Sequence, residues 1–321
     1  MIRCTVTEPS PETTEETSAP SYRRFAAERI RASLVVVWIG LTLLFVTFFL
    51  APDDTAAEFA GQGADRATIA RADRDLHLDQ SVVHQYLSFV GRFVRGDLGY
   101  SYSNRVSVER IVTFSAPVTG SIAGGALVLG LLIGVPAGLL LSRRGKPIGM
   151  PTRGLTALSL SFGPFLLGMG LLVLDFHTGF VKQYGYCDFF FPPRGQCGGP
   201  IDWARQLVLP WISLAVPFAG IYTRIVRVLA NEVRAGGTNA RAVATMARRL
   251  VLDASWIIGA TIFVEQVFDV PGLARWFFVS MENFDLPTML GILEFLLFLQ
   301  IAIYLVGTLA GGALSKDWRR T

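Results

Sequence analysis

Catalysis needs titratable or nucleophilic side chains brought together, so the three histidines, His77, His84 and His177, are weighed first. They lie in polar stretches or at their edges, no HExxH pair occurs, and no serine sits in a nucleophile-elbow pattern. They are expected to be solvated or locally hydrogen bonded. Gly145-Lys146-Pro147 lacks the upstream glycine and the following Ser or Thr of a phosphate-binding loop, so the chain is not expected to hydrolyse ATP alone. Asp253, Glu265 and Glu294 fall in or beside apolar runs, where a carboxylate counts as a functional candidate. All three are near the ends of those runs, and an interfacial placement is expected. Three cysteines are too few for a disulfide scaffold. Cys187 and Cys197 share one loop and read equally as a disulfide or as two free thiols.

The elements that would position these residues are apolar helices. Hydrophobic residues make up 51% of the chain and charged residues 17%, against about 25% in a soluble domain. That balance excludes a water-facing globule and points to a bilayer. The net charge is +4, but the basic residues fall between long apolar runs, which is membrane topology rather than nucleic-acid binding. Residues 1–22 are acidic and rich in Thr, Ser and Pro, and are expected to form a disordered tail rather than a signal peptide. Six spans are predicted: Leu34–Ala51, Pro117–Leu141, Leu155–Leu174, Leu207–Ala230, Leu250–Val267 and Leu290–Leu314. The second carries Gly120, Gly124, Gly125, Gly130, Gly134 and Gly138, a density that lets helix backbones approach closely.

Lys and Arg set the orientation. With the N-terminus inside, the groups Arg23–Arg31, Arg143–Arg153 and Arg224–Arg249 and the basic C-terminus all lie inside. Residues 52–116 then form a long outer segment and 175–206 an outer loop. The expected fold is all-α and integral to the cell (inner or plasma) membrane. It has six transmembrane helices, both termini cytoplasmic, and residues 23–321 form one domain. The aromatic stretch Tyr184–Gly199 in the outer loop suits either a docking surface or a packed cap.

Five strings occur in order between the predicted spans: LSFVGRFVRGDLGYS from Leu87, LVLPWISL from Leu207, YTRIVRVL from Tyr222, EQVFDVPGLAR from Glu265 and DLPTMLG from Asp285. Together they resemble the permease subunits of dipeptide/oligopeptide-type ABC importers over about residues 25–320. The strings carrying Arg95, Gly96, Asp97, Leu98 and Gly99, and Glu265, Phe268, Pro271 and Gly272, are the most distinctive. Arg95 and Asp97 are expected to order a turn rather than touch substrate.

The resemblance implies a type I importer permease that moves small peptides or similar solutes inward by alternating access. Its implied partners are a second homologous permease, two ABC ATPase subunits that bind ATP and Mg2+, and an extracellular solute-binding protein. This chain would bind no cofactor or metal and perform no catalysis; lipid would surround it. Rival readings are a decoupled structural or regulatory subunit, or an integral-membrane enzyme.

In that family the inner segment between spans four and five carries a short coupling helix for the ATPase. Residues 231–249 are the candidate here, with Glu232, Asn239, Ala240, Arg241 and Ala242 as coupling residues. The glycine of the family pattern is missing, and the stretch up to Glu265 is short. The expectation is a coupling helix rebuilt within 231–249. Alternatives are a fifth span starting near Ala242, or a weakly coupled variant. The same basic segment would also attract anionic lipid, by about 1 kcal/mol per charge.

Overall fold

A computed structural model describes residues 22–50, 54–61, 63–101, 103–143, 163–179, 186–189 and 198–315. The expected tail lies outside these apart from Tyr22, and so do the first half of the third predicted span and Cys197.

Tyr22–Phe45 form α1, prolonged by a π-helical turn at Val46–Leu50. Its arginines fall in the first turns and leave an uncharged stretch from Ala32 onward. Three short helices follow: α2 (Thr55–Ala60), α3 (Arg66–Asp75) and α4 (Val82–Arg95). Each starts where a short polar side chain accepts a hydrogen bond from a free helical N–H: Asp54 from Ala57, Asp65 from Thr68, Ser81 from His84. The cap bond to Thr68 holds the Asp65 carboxyl below the usual carboxylate range. Phe49, Phe59 and Phe89 are buried together against the C-terminal half of α1, which fastens this segment to the bundle.

A hairpin, β1 (Tyr100–Ser101) with β2 (Val106–Ser107), leads into α5 (Val108–Arg143). Then come α6 (Pro164–Thr178), α7 (Pro200–Arg234), α8 (Asn239–Val267), the short α9 (Leu273–Glu282) and α10 (Leu286–Ser315). Five helices are long and apolar enough to cross a membrane: Tyr22–Leu50, Val108–Arg143, Pro200–Arg234, Ala242–Val267 and Leu286–Gly312. The α6 helix is apolar but shorter. The fold is an all-α, multi-pass membrane fold. Exposed apolar side chains such as Leu34, Trp38, Leu132 and Val306 suit its lipid-facing surface.

Glycine contacts fix how the helices run. A methyl group at Gly125 would meet Trp211, one at Gly130 would meet Phe218, one at Gly134 would meet Tyr222, and one at Gly138 would meet Val226. Contacts that advance together along both chains mean that α5 and α7 are parallel. At their common end the Arg234 guanidinium donates to the Ser142 carbonyl. At Gly134 and Gly138 the neighbours include backbone carbonyls of α7 at 2.8 Å, so only hydrogen fits there.

The remaining long helices alternate with these. Gly307 packs on Val251 and Gly311 on Arg248, so α8 and α10 are antiparallel. Tyr22 Oη donates 3.0 Å to the Leu309 carbonyl, and Gly312 packs on Phe25. The start of α1 and the end of α10 therefore share one end of the bundle.

The structure departs from expectation between spans four and five. No separate coupling helix lies within 231–249. That segment is the last turn of α7, a turn over 235–238, and the first part of α8. The fifth apolar stretch begins at Ala242, not Leu250. The break comes at Gly236, whose φ of 103° suits glycine, and Gly237, whose Cβ would lie 2.8 Å from the Glu232 carbonyl. From Asn239 no glycine or proline occurs before Gly259, so the helix continues without interruption. Arg248 and Arg249 are not forced inside: both are exposed, and Arg249 pairs with Asp253 at 3.0 Å.

Candidate functional site

Two of the family-like strings each supply a buried carboxylate, Glu265 and Asp285, and a third leads into the hairpin that the second one holds. Glu265, in the last turn of α8, is 0% exposed. Its Oε1 accepts from Thr119 Oγ1 of α5 at 2.7 Å. Its Oε2 accepts from the backbone N–H of Ala274 (2.8 Å) and Arg275 (3.2 Å), in the first turn of α9. Thr119 Oγ1 in turn accepts from the Leu273 N–H at 2.9 Å. One carboxylate thus satisfies the free donors at a helix start, where the helix dipole favours negative charge, and ties three helices together.

The sequence between makes this possible. Phe268 ends α8 and is buried beside α6, with its ring 3.2 Å from where a Cβ on Gly168 would stand. Asp269 takes a left-handed φ of 55°, and its carboxylate pairs with Arg275. Exposed Pro271 carries the chain through the turn. Gly272 is the N-cap of α9, and a Cβ there would lie 2.3 Å from the Glu265 carboxyl carbon.

The second carboxylate is Asp285, 1% exposed, just before α10. Its Oδ2 accepts from Ser101 Oγ (2.6 Å) and Asn104 Nδ2 (2.9 Å) of the hairpin, and from Thr288 Oγ1 (2.7 Å). Its Oδ1 is buried without a hydrogen-bond partner among the described residues. The RGDLG string supplies the turn before the hairpin. Arg95 is exposed in the last turn of α4, Gly96 caps that helix in the left-handed region, and Asp97 Oδ1 accepts from the Gly99 N–H at 3.0 Å. The Leu98 N–H donates to Glu109 Oε1 of α5 at 3.1 Å, and Gly99 has φ of 92°.

Asp253, Glu265 and Glu294 were expected at the interface, but the structure buries all three, at 4%, 0% and 4% exposure. Helices longer than the apolar runs carry these positions into packed protein. Thr119 was not singled out by sequence, and Ser101, Asp285 and Thr288 lay in the family-like strings without a role of their own. D-L-P-T at 285–288 is a helix-start pattern, an Asp cap followed by proline in the first turn, and that signal was readable.

At the opposite end of the bundle, the 235–238 turn projects. Residues 234–239 are all exposed, as is Glu232, whose carbonyl accepts from Gly237 N–H at 2.9 Å. Asn239 opens α8, Ala240 and Arg241 continue its first turn, and the Ala242 N–H bonds the Thr238 carbonyl at 3.2 Å. Near the carboxylate end, Cys187 is buried and disulfide-bonded, with its partner outside the described residues. Asp188 and Gly198 pair beside it as an isolated parallel bridge.

Among the described residues no group of three or more His, Cys, Asp or Glu has the arrangement of a metal site. The Glu265 carboxylate is saturated by helix donors and Asp285 Oδ2 by three donors, an arrangement suited to holding helices in register.

Residues 22–123 match the family described as "Binding-prot-dependent transport system membrane comp, N-term". A Brucella suis biovar 1 protein named as a peptide transport system permease is 29% identical over 297 residues, covering 86% of this chain and 92% of its own. The glutathione transport system permease protein GsiC of Pectobacterium atrosepticum is 28% identical over 286 residues, covering 81% and 87%. A D,D-dipeptide transport system permease protein, DdpB, of Escherichia coli K12 is 26% identical, covering 85% and 91%.

Proposed function

The chain belongs to the permease components of peptide-type ABC importers, and from that premise we propose that it carries small peptides or similar solutes into the cytoplasm by alternating access. It is a non-catalytic, multi-pass membrane subunit whose energy comes from ATPase partners. The proposed assembly adds a second homologous permease, two ATPase subunits holding ATP and Mg2+, and an extracellular solute-binding protein.

Six crossings with both termini cytoplasmic are the proposed topology. The observation that carries it is the parallel packing of α5 on α7: two parallel neighbours require the chain to cross back between them, and α6 lies in that interval. The meeting of Tyr22 with Leu309 at one end supports an even number of crossings. The basic groups at that end, including Arg143, Arg234 and Arg248, suit the cytoplasmic side.

The 232–242 tip, with Glu232, Asn239, Ala240, Arg241 and Ala242, is the proposed ATPase contact. Because α8 runs unbroken from this tip to Glu265, a push at the tip reaches the α9 joint as one rigid rod. Arg95 to Gly99, Glu265, Phe268, Pro271 and Gly272 are the proposed structural residues of the outer joints, and Cys187–Cys197 the proposed disulfide of the outer loop.

The experiment is co-expression of the chain with candidate ATPase, permease and binding-protein subunits, followed by hydrolysis assays in lipid. A stable complex whose ATP hydrolysis rises with peptide supports the proposal. A chain that inserts but recruits no ATPase supports the decoupled reading instead.

A further inference from the structure

A groove of about 440 Å3 runs along the bundle surface, floored by α10 and walled by α1 and α8. Ser33 and Val36 come from α1, Leu252, Ser255 and Trp256 from α8, and Tyr304 from α10. No charged residue lines it among the described residues. Val36, Leu252, Trp256 and Tyr304 are exposed, which suits contact with lipid.

Two features set this groove apart from the rest of the apolar surface. The first is positive charge at one mouth. Arg29 stands one turn before Ser33 on α1, and Arg248 one turn before Leu252 on α8, so each continues the face that lines the groove. Packing on α10 fixes their depth: Phe25 meets Gly312 and Arg248 meets Gly311. Both arginines therefore stand at the end of the groove where Tyr22 reaches Leu309, the proposed cytoplasmic end. The Arg29 guanidinium lies 5.3 Å from the centre of the Phe25 ring, a further turn toward that end. The neighbouring carboxylates are engaged, Glu28 with Arg24 and Asp253 with Arg249. The second feature is a pair of hydroxyls without acceptors. Ser33 and Ser255 are 6% and 8% exposed, and neither Oγ has a hydrogen-bond partner among the described residues. At a rise of 1.5 Å per residue they lie about 6 Å and about 10 Å deeper than Arg29 and Arg248 along their helices.

We propose that this groove binds an anionic phospholipid of the adjoining leaflet. An acyl chain follows the apolar walls, the phosphate lies between Arg29 and Arg248, and an ester carbonyl accepts from the serine hydroxyls. Guanidinium groups pair with phosphate through charge-assisted hydrogen bonds, and basic pockets between transmembrane helices on the cytoplasmic side take anionic headgroups. A further transmembrane helix fits the groove less well. Helices approach one another in a bilayer on small residues, and Gly307, Gly311 and Gly312 of α10 are already covered by α8 and α1. The walls left open are bulky.

Only the depth of the site is taken from the proposed topology, and the test uses the full chain alone, so the transport reading and this one can fail separately. Trp256 is the probe. The chain is placed in phosphatidylcholine nanodiscs that contain increasing fractions of bromine-labelled phosphatidylglycerol or of equally labelled phosphatidylcholine. Tryptophan quenching is recorded for the parent and for Trp256→Phe, and the difference isolates the groove. Half-maximal quenching of Trp256 is expected at a phosphatidylglycerol fraction at least about tenfold lower than for phosphatidylcholine. Arg29→Gln combined with Arg248→Gln is expected to bring the two lipids within about twofold. Equal quenching by both lipids in the parent reduces the groove to ordinary lipid contact and overturns the proposal. Quenching by neither means that protein covers the groove, and a preference that survives loss of both arginines means that they do not hold the phosphate; either result overturns it too. The lipid comparison in the parent decides the matter even if the double variant fails to fold.

Discussion

Thr119 and Glu265 lie 146 residues apart and meet through a 2.7 Å hydrogen bond in a fully packed setting. The same threonine oxygen accepts from the N–H that opens the next helix. The end of α8, the first third of α5 and the start of α9 are therefore tied together at one point. A permease that works by rocking helix bundles needs joints of this kind at the end remote from its motor.

Replacing Glu265 is expected to loosen that piece. Glu265→Ala removes the acceptor of three donors, and each buried donor left unsatisfied costs about 1–3 kcal/mol. Thermal unfolding in detergent should show a clear drop in midpoint. Glu265→Gln should cost less, because a side-chain oxygen remains to accept. Equal stability of the alanine variant and the parent would remove the joint from the account.

Gly272 should be coupled to the same carboxylate. A Cβ there would lie 2.3 Å from the Glu265 carboxyl carbon, so Gly272→Ala has to displace it. In a double-mutant cycle with Glu265→Ala, the double variant should lose less than the sum of the two single losses, by on the order of 1 kcal/mol or more. Additive losses would mean that the glycine acts elsewhere.

The glycines of α5 offer an internal comparison. Gly134→Ala pushes a methyl against the Ala219 carbonyl at 2.8 Å, a backbone atom that cannot turn aside. Overpacking of this sort costs about 1–3 kcal/mol. Gly120→Ala meets nothing within 4 Å and should leave the isolated chain unchanged. Detergent melting curves that rank the two variants in the reverse order would contradict the parallel packing of α5 and α7.

Asp285→Ala should free the hairpin while leaving the spans in place. The Ser101 and Asn104 side chains lose their shared acceptor, so amide exchange over 100–107 is expected to accelerate more than exchange within α5 or α10. Uniform acceleration throughout the chain would instead make Asp285 a general stability residue.

Much of this arrangement was readable from residue types. The glycine spacing of α5 announced close packing, and the RGDLG string announced a turn, which Gly96 and Gly99 form with positive φ. The DxPGLxR string contained its own cap, since Gly272 precedes α9 and Glu265 stands seven residues earlier. The acceptor's partner on α5 was not readable, because Thr119 is one polar residue in an apolar run and only tertiary packing selects it. Burial of Asp253, Glu265 and Glu294 was missed for a related reason. Span ends were drawn where apolar composition stops, but the helices continue through charged residues when those residues find partners, as Arg249 and Asp253 do. A coupling helix rebuilt within 231–249 was the wrong choice among the alternatives, because the chain breaks only at Gly236-Gly237 and then runs on as one helix, so that the fifth apolar stretch starts at Ala242 as the second alternative had it.

The central claim is that the projecting 232–242 tip receives the work of an ATPase. The most direct measurement uses the co-assembled importer with Thr238→Cys at the exposed tip and Phe114→Cys near the other end of α5 as control, each in a background lacking Cys4. Disulfide crosslinking to cysteines on the ATPase subunit is followed in lipid. Crosslinking at 238 that changes in yield when ATP is added, with none at 114, is the expected result. An importer that hydrolyses ATP in response to peptide yet never crosslinks through 238 would contradict it.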